Sequence, residues 1–308
     1  MARRPQSPKR SSASCPPRWA TRRTPERKTI GPRVGAVASL FGLPFMPWQQ
    51  QVADVAGELI PGTNMLAYRQ VVVLIPRQSG KTTLSLAEEV DRAINWGKPQ
   101  TIAYTAQTGK DARSKLVIDQ GQVLSKSALQ VPFGIRVYGG VGAEAITFNN
   151  GSRIGIIYSG PAGGHGKTLD LGVIDEAFDD VDDEREQAMA PAMITRPDAQ
   201  LWIVSTAGDE RSVYLMHKRD AGRDSVENSE NQNTCYFEWS APIDAPYDDP
   251  ATWRSCMPAM GRTVREQDVQ AELAMRTEGT FRRMYLNQWW GGEDRVIPAA
   301  LWNAANDE

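Results

Sequence analysis

Five consecutive apolar residues, Val71-Val72-Val73-Leu74-Ile75, run directly into Pro76-Arg77-Gln78-Ser79-Gly80-Lys81-Thr82. A short β-branched run without polar alternation predicts a strand buried on both faces, the habit of a parallel sheet. A helix is predicted over residues 80–96, because Leu84, Ala87, Val90 and Ile94 recur at helical spacing. A strand, a tight loop and a helix start in that order aim backbone N–H groups and the positive end of the helix dipole at one point, which suits a phosphate. Residues 76–83 are therefore expected to hold ATP, Thr83 included. Lys81 would reach the β- and γ-phosphates, and the Thr82 hydroxyl would join Mg²⁺. The common GxxxxGK[ST] pattern has a glycine where this chain has Ile75. The loop alone is thus a degenerate match, and its partners must decide.

The first partner is Leu171-Gly172-Val173-Ile174-Asp175-Glu176. A buried strand ending in two carboxylates suits metal holding by Asp175 and activation of a water by Glu176. Acidic pairs also occur in solvated turns, as the run from Asp179 to Glu184 is expected to do. The second partner is Leu201-Trp202-Ile203-Val204-Ser205-Thr206-Ala207-Gly208, a strand ending in small polar residues. Ser205, Thr206 and Ala207 are expected to sense the γ-phosphate, against the plainer reading of a strand-to-helix turn. The third is Pro47-Trp48-Gln49: an amide can bond both edges of adenine and an aromatic can stack nearby, although Trp48 could equally be core. A second Gly-Lys-Thr, at 166–168, follows no apolar strand and opens no long helix, so it is not read as a phosphate loop.

Elsewhere strands are expected at 101–105, 135–138, 145–148, 153–158 and 234–239. Helices are expected at 34–43, 47–59, 110–127, 184–193, 211–221, 265–276 and 279–290. Alternation of this kind predicts an α/β fold, a mostly parallel sheet sandwiched by helices with a small helical lid or linker at the C-terminus; with the phosphate loop, this arrangement resembles a P-loop NTPase (RecA/ASCE-like). No second sheet is expected.

Composition excludes several alternatives. With 41% hydrophobic and 23% charged residues in 308, the chain can bury a core, and no stretch is apolar for the length of a membrane span. Cys15, Cys235 and Cys256 are too dispersed for a disulfide framework or zinc site, and two histidines make a Ser-His-Asp triad improbable. Residues 1–33 hold ten Lys/Arg against Glu26 alone. With their Pro and Ser content they are expected to form a disordered basic tail, either simply solvated or a DNA-touching arm.

Taken in order, these motifs resemble the ATPase half of a tailed-bacteriophage terminase large subunit. The resemblance runs from about Gly31 to the C-terminus. It rests on Pro47-Trp48-Gln49, on the loop with Arg77 where other P-loops prefer glycine, on Ile174-Asp175-Glu176-Ala177, on Ser205-Thr206-Ala207, and on Phe281-Arg282-Arg283-Met284-Tyr285-Leu286-Asn287-Gln288-Trp289. It implies a Mg-dependent ATPase in which Arg77 stabilises charge on the γ-phosphate in cis, or else pairs with an acidic neighbour. It also implies double-stranded DNA, the portal protein and the terminase small subunit as partners. A homo-oligomeric ring on the capsid would form in the host bacterial cytoplasm, transiently on the procapsid, with no membrane. Members often carry Arg-Gly before the acidic strand; here that place reads His165-Gly166-Lys167, so His165 and Lys167 are the possible trans-acting groups. The resemblance divides the chain into a tail (1–33), an ATPase domain with lid (34–290) and the start of a linker (291–308). No nuclease activity is expected from this sequence. A helicase-like translocase and a non-hydrolysing nucleotide-binding assembly module remain as alternatives.

Overall fold

The structure, a computed structural model, describes residues 15–157, 168–228 and 233–290. Strand β1 (Trp19–Ala20) precedes helices α1 (Gly31–Leu40) and α2 (Pro47–Ala56), then β2 (Gln70–Leu74) and α3 (Lys81–Asn95). After β3 (Thr101–Thr105) come α4 (Gly109–Arg113), a π-helical stretch (Ser114–Gln120) and α5 (Gly121–Ser125). Strands β4 (Arg136–Tyr138), β5 (Ala145–Thr147), β6 (Arg153–Ile156) and β7 (Leu171–Asp175) follow. Next are α6 (Glu184–Met193), β8 (Gln200–Ser205), α7 (Val213–Asn228) and β9 (Thr234–Glu238). Helices α8 (Pro250–Cys256), α9 (Glu266–Met275) and α10 (Glu278–Leu286) complete the described chain.

All nine strands form one sheet in the order β1-β9-β2-β8-β7-β3-β6-β5-β4. The six from β9 to β6 are parallel, and antiparallel pairs sit at the two edges. Strand side chains alternate between faces. Val71 and Val73 therefore enter one core with Trp48, Val52, Leu84 and Trp202, while Val72 and Leu74 enter another with Ile203, Tyr214 and Tyr236. Both faces are covered, which is why β2 has no polar position after Gln70. A third, separate core of Trp253, Met257, Val269, Phe281 and Leu286 unites α8, α9 and α10, in keeping with a small helical subdomain beside the sheet. No helix among the described residues is long and apolar enough to cross a membrane.

Two expectations need correction. Residues 15–33 belong to the fold rather than to a disordered tail. β1 pairs with β9, and the fully buried Glu58 accepts from Arg23 at 2.9 Å, Arg27 at 3.2 Å and the Thr24 N–H at 2.7 Å. Arg33 makes a bidentate pair with Asp91 at 2.8 Å, and Trp19 lies between Arg18 and Arg223 at 4.2 and 4.1 Å. Arg18, Arg23, Arg27 and Arg33 are thus spent on carboxylates and rings of the domain, which a charge count cannot reveal. Residues 1–14 and 291–308 lie outside the described residues. The helix expected over 110–127 is broken by its π-helical middle, and α8 and β1 had no legible pattern because each is too short to carry one.

Candidate nucleotide site

The strand order sets the site. β8 lies between β2 and β7, with Leu74 opposite Ser205 and Val204 opposite Asp175. The three motifs are far apart in sequence, yet their strands end side by side at the carboxyl edge of the sheet, where open α/β folds take their ligands.

In the loop, Gln78 has φ 60° and Gly80 φ 91°. Glycine is required at 80 twice over: the left-handed backbone penalises a side chain, and a Cβ would meet Met46 Cε at 2.8 Å and Gln49 Nε2 at 3.0 Å. The loop is held from outside by α2. Trp48 Nε1 donates to the Ser79 carbonyl at 3.1 Å, and Gln49 Nε2 donates to the Gly80 carbonyl at 2.8 Å. Gln49 Oε1 accepts from the Met46 N–H at 2.6 Å, so both ends of this amide are engaged with backbone. Trp48 packs edge-on against Trp239 at 5.4 Å. In this arrangement Trp48 and Gln49 buttress the loop backbone.

Lys81 leads α3 inward and donates to Thr206 Oγ1 at 2.9 Å, which joins the loop to the β8 motif. Burial lowers its ammonium to about 8; the charges of Asp175 and Glu176 oppose that shift, and Arg77 and Lys115 add to it. Thr82 is exposed and Thr83 half-buried on the first turn, while Ser79 is buried with its hydroxyl unpartnered. Arg77 makes no ion pair with a described carboxylate; its guanidinium lies 5.2 Å from the Phe178 ring centre.

Asp175 Oδ2 accepts from Tyr104 Oη at 2.8 Å and from Lys115 Nζ at 2.9 Å. Glu176 follows at φ 55°, its carboxylate 3.3 Å from the same ammonium. Arg185 pins this corner by donating to the Asp175 and Glu176 carbonyls at 3.1 and 3.2 Å while paired with Asp180. The Lys115 ammonium is raised overall: burial works to lower it, and the charges and hydrogen bonds of Asp175 and Glu176 outweigh that. Asp180, expected as a solvated turn residue, is instead part of this corner.

The β8 motif is tied to the helical subdomain. The Ala207 N–H donates to Asn287 Oδ1 at 2.6 Å, and Asn287 caps α10 at φ 52°. The Arg77 N–H donates to the Met284 carbonyl at 2.8 Å, and Arg283 pairs with Asp209 at 2.9 Å. The Ser205 hydroxyl donates to the Thr206 carbonyl at 3.0 Å. Arg77, Thr206, Ala207 and Arg283 line a cleft of about 280 Å³ between loop and subdomain. Among the described residues, Gln78, Glu176 and Asn287 are the non-glycine positions with positive φ, and all three belong to this site. Such backbone persists where its surroundings over-determine it, a habit of functional sites.

Sequence reasoning did not find Lys115, Tyr104, Arg185 or Asn287 as site residues; each sits inside an ordinary helix or strand pattern. Of the possible trans-acting groups, His165 and Lys167 lie outside the described residues, and Thr168 accepts from Arg196 at 2.7 Å. Among the described residues no group of three or more His, Cys, Asp or Glu could hold a metal by itself. A carboxylate and a hydroxyl beside a phosphate loop are nonetheless the hard oxygen donors that suit Mg²⁺, which is commonly completed by substrate phosphates and water.

Comparison with known proteins agrees with this geometry. Residues 72–299 match the family model described as terminase large subunit, T4likevirus-type, N-terminal. Among solved structures, the HK97 bacteriophage large terminase superposes with a TM-score of 0.71 at 19% identity, over 89% of this chain and 58% of that one. The ATPase domain of the Thermus phage P74-26 large terminase gives 0.55 at 17% identity, over 82% and 96% of the two chains. The large terminase of a thermophilic bacteriophage, in complex with ATP-γ-S, gives 0.54 at 16% identity, over 80% and 53%. A comparison with curated protein sequences finds no match. The chain spans a little over half the length of the HK97 protein and of this thermophilic-phage relative, and their likeness establishes a shared P-loop α/β fold. With the family model spanning most of its length, this chain belongs to the terminase large subunit family, T4likevirus-type, through that family's N-terminal domain.

Proposed function

We propose that the chain is an ATP-hydrolysing motor subunit that drives double-stranded DNA into a phage procapsid. The observation that carries this reading is the adjacency of β2, β8 and β7, which brings Lys81, Thr206, Asp175 and Glu176 to one edge of the sheet. The thermophilic-phage relative in complex with ATP-γ-S makes nucleotide the natural ligand. In this reading the loop N–H groups and Lys81 bind the β- and γ-phosphates. Asp175 and Thr82 would hold Mg²⁺, which when bound would neutralise charge on the phosphate oxygens. Glu176 orients a water and takes its proton. Arg77, which has no carboxylate ion-pair partner among the described residues, offsets charge at the γ-phosphate.

Loss of that phosphate would be felt by Thr206, and through Ala207 and Asn287 by α10, giving a short route from chemistry to movement of the helical subdomain. The partners in this reading are DNA held mainly through its phosphates, the portal protein, the small subunit and further copies in a ring on the procapsid within the host cytoplasm.

Hydrolysis is to be measured for the purified chain with Mg·ATP, with and without DNA and procapsids bearing portal and small subunit, beside Glu176→Gln. The variant should bind nucleotide normally and lose turnover by roughly 10²–10⁴-fold. Wild-type-like turnover would remove Glu176 as the base. A wild-type chain that hydrolyses nothing under any of these conditions would replace the motor reading with a non-hydrolysing nucleotide-binding module.

A further inference from the structure

Among the described residues, the carboxylates Asp175 and Glu176 share an ion-pair partner, Lys115, which no sequence motif indicates. Its ammonium lies 2.9 Å from Asp175 Oδ2 and 3.3 Å from Glu176 Oε1. We infer that Lys115 is a positioning residue that holds these two carboxylates in a resting arrangement and must release Asp175 for Mg·ATP to be bound. The inference rests on the nucleotide-site reading above.

Three observations support it. The backbone of the carboxylate corner is fixed: the Glu176 N–H donates to the Val204 carbonyl at 2.9 Å, and Arg185 grips the carbonyls of both residues. What remains adjustable is the Glu176 side chain, 29% exposed, and among the described residues its ion-pair partner is Lys115. Asp175 Oδ2 already accepts from both Tyr104 and Lys115, so the two lone pairs of that oxygen are occupied. A dication needs an oxygen of the same carboxylate, and a fixed ammonium beside it would repel it strongly in a partly buried setting.

The side chain is suited to moving. Lysine is a compact charge on a flexible stem, whereas arginine would hold a carboxylate in a rigid fork. Lys115 also projects from the π-helical stretch Ser114–Gln120, a form that occurs mostly in short insertions and often at functional sites. Neighbouring Leu116 and Gln120 are buried, so the helix itself is anchored while Lys115 reaches out to the strand ends. When Mg·ATP enters, the ammonium would leave Asp175 and face the phosphates, and Glu176 would become free to turn toward water. No covalent change is involved.

The test uses the full chain and the slowly hydrolysed analogue ATP-γ-S, whose binding is followed by calorimetry across a series of Mg²⁺ concentrations. Lys115→Met should lower the Mg²⁺ needed for half-maximal binding by roughly three- to tenfold, the scale of a partly screened ion pair. The same variant should unfold at lower temperature than wild type in EDTA, because two adjacent carboxylates then lose their ion-pair partner, and Mg²⁺ with nucleotide should close that gap. Lys115→Arg, which keeps the charge, should not lower the Mg²⁺ requirement. Lys115→Gln gives an uncharged second variant should the methionine fail to fold, with the same downward shift expected. An unchanged or increased Mg²⁺ requirement in the uncharged variants overturns the inference and leaves the nucleotide site standing. A wild-type chain that binds no ATP-γ-S at any Mg²⁺ concentration overturns both.

Discussion

Glu58 and the Asp175–Glu176 pair are both carboxylates met by basic side chains, and they are built to opposite ends. Glu58 is fully buried and surrounded by Arg23, Arg27, the Thr24 N–H and Tyr68, all ordered by the same contact. Asp175 and Glu176 lie at a strand end with Lys115 as their shared cation. A carboxylate with several rigid donors anchors chain; one paired with a flexible lysine keeps its charge available for exchange. The difference separates an ion cluster that holds the fold from one that can do chemistry, although the residue types are the same.

The comparison predicts unequal costs. Glu58→Ala should destabilise the protein by about 3–5 kcal/mol, because it leaves two partly buried arginines without their carboxylate. Asp175→Asn should cost about 1 kcal/mol or less, since the amide oxygen still accepts from Tyr104 and Lys115. Denaturant unfolding of both variants measures this, and equal losses would erase the distinction. Tyr104→Phe removes the rigid partner of Asp175 and should weaken Mg²⁺ affinity in the nucleotide complex by roughly 10–100-fold with little change in stability. Gln49 extends the contrast between anchor and actor to the loop. If it supports the loop backbone, Gln49→Ala should weaken ATP and GTP binding alike, by roughly tenfold. A loss confined to ATP would return the amide to the adenine contact.

A third kind of carboxylate shows itself in a pH slope rather than in a single loss. Glu88, on α3, is pushed up to about 8 by burial and by Asp91, against the opposing charges of Arg92 and Arg33. Its folded value is raised, so the stability it contributes is full below about 4.5 and is lost as pH rises through about 8. In that window the unfolded chain has released a proton that the folded chain keeps, which lowers stability by up to about 1.4 kcal/mol per pH unit. Glu88→Gln should flatten the fall of unfolding free energy between about pH 5 and 8 by about that slope. An unchanged slope would mean that Glu88 is ionised in the fold.

Much of this was legible in residue order. The run Val71–Ile75, Gly80-Lys81-Thr82, Asp175-Glu176 and Ser205-Thr206-Ala207 each combine a buried strand with a polar end, so local pattern determined the parallel α/β class and nominated the loop, the acidic pair and the third motif. Nothing local says that β8 lies between β2 and β7, that residues 15–33 close the sheet edge against Glu58, or that Gln49 turns both ends of its amide to backbone. The roles of Lys115 and Asn287 were invisible for the same reason. A lysine in a helix and an asparagine at a helix end are ordinary locally, and they acquire meaning only from strands and loops distant in sequence. The sequence by itself determined the strand, loop and helix pattern and nominated groups whose chemistry suits a phosphate and a water, because those capacities belong to residue types and their immediate backbone. Tertiary structure alone decided which cation faces which carboxylate, because that depends on strand order and on one π-helical stretch.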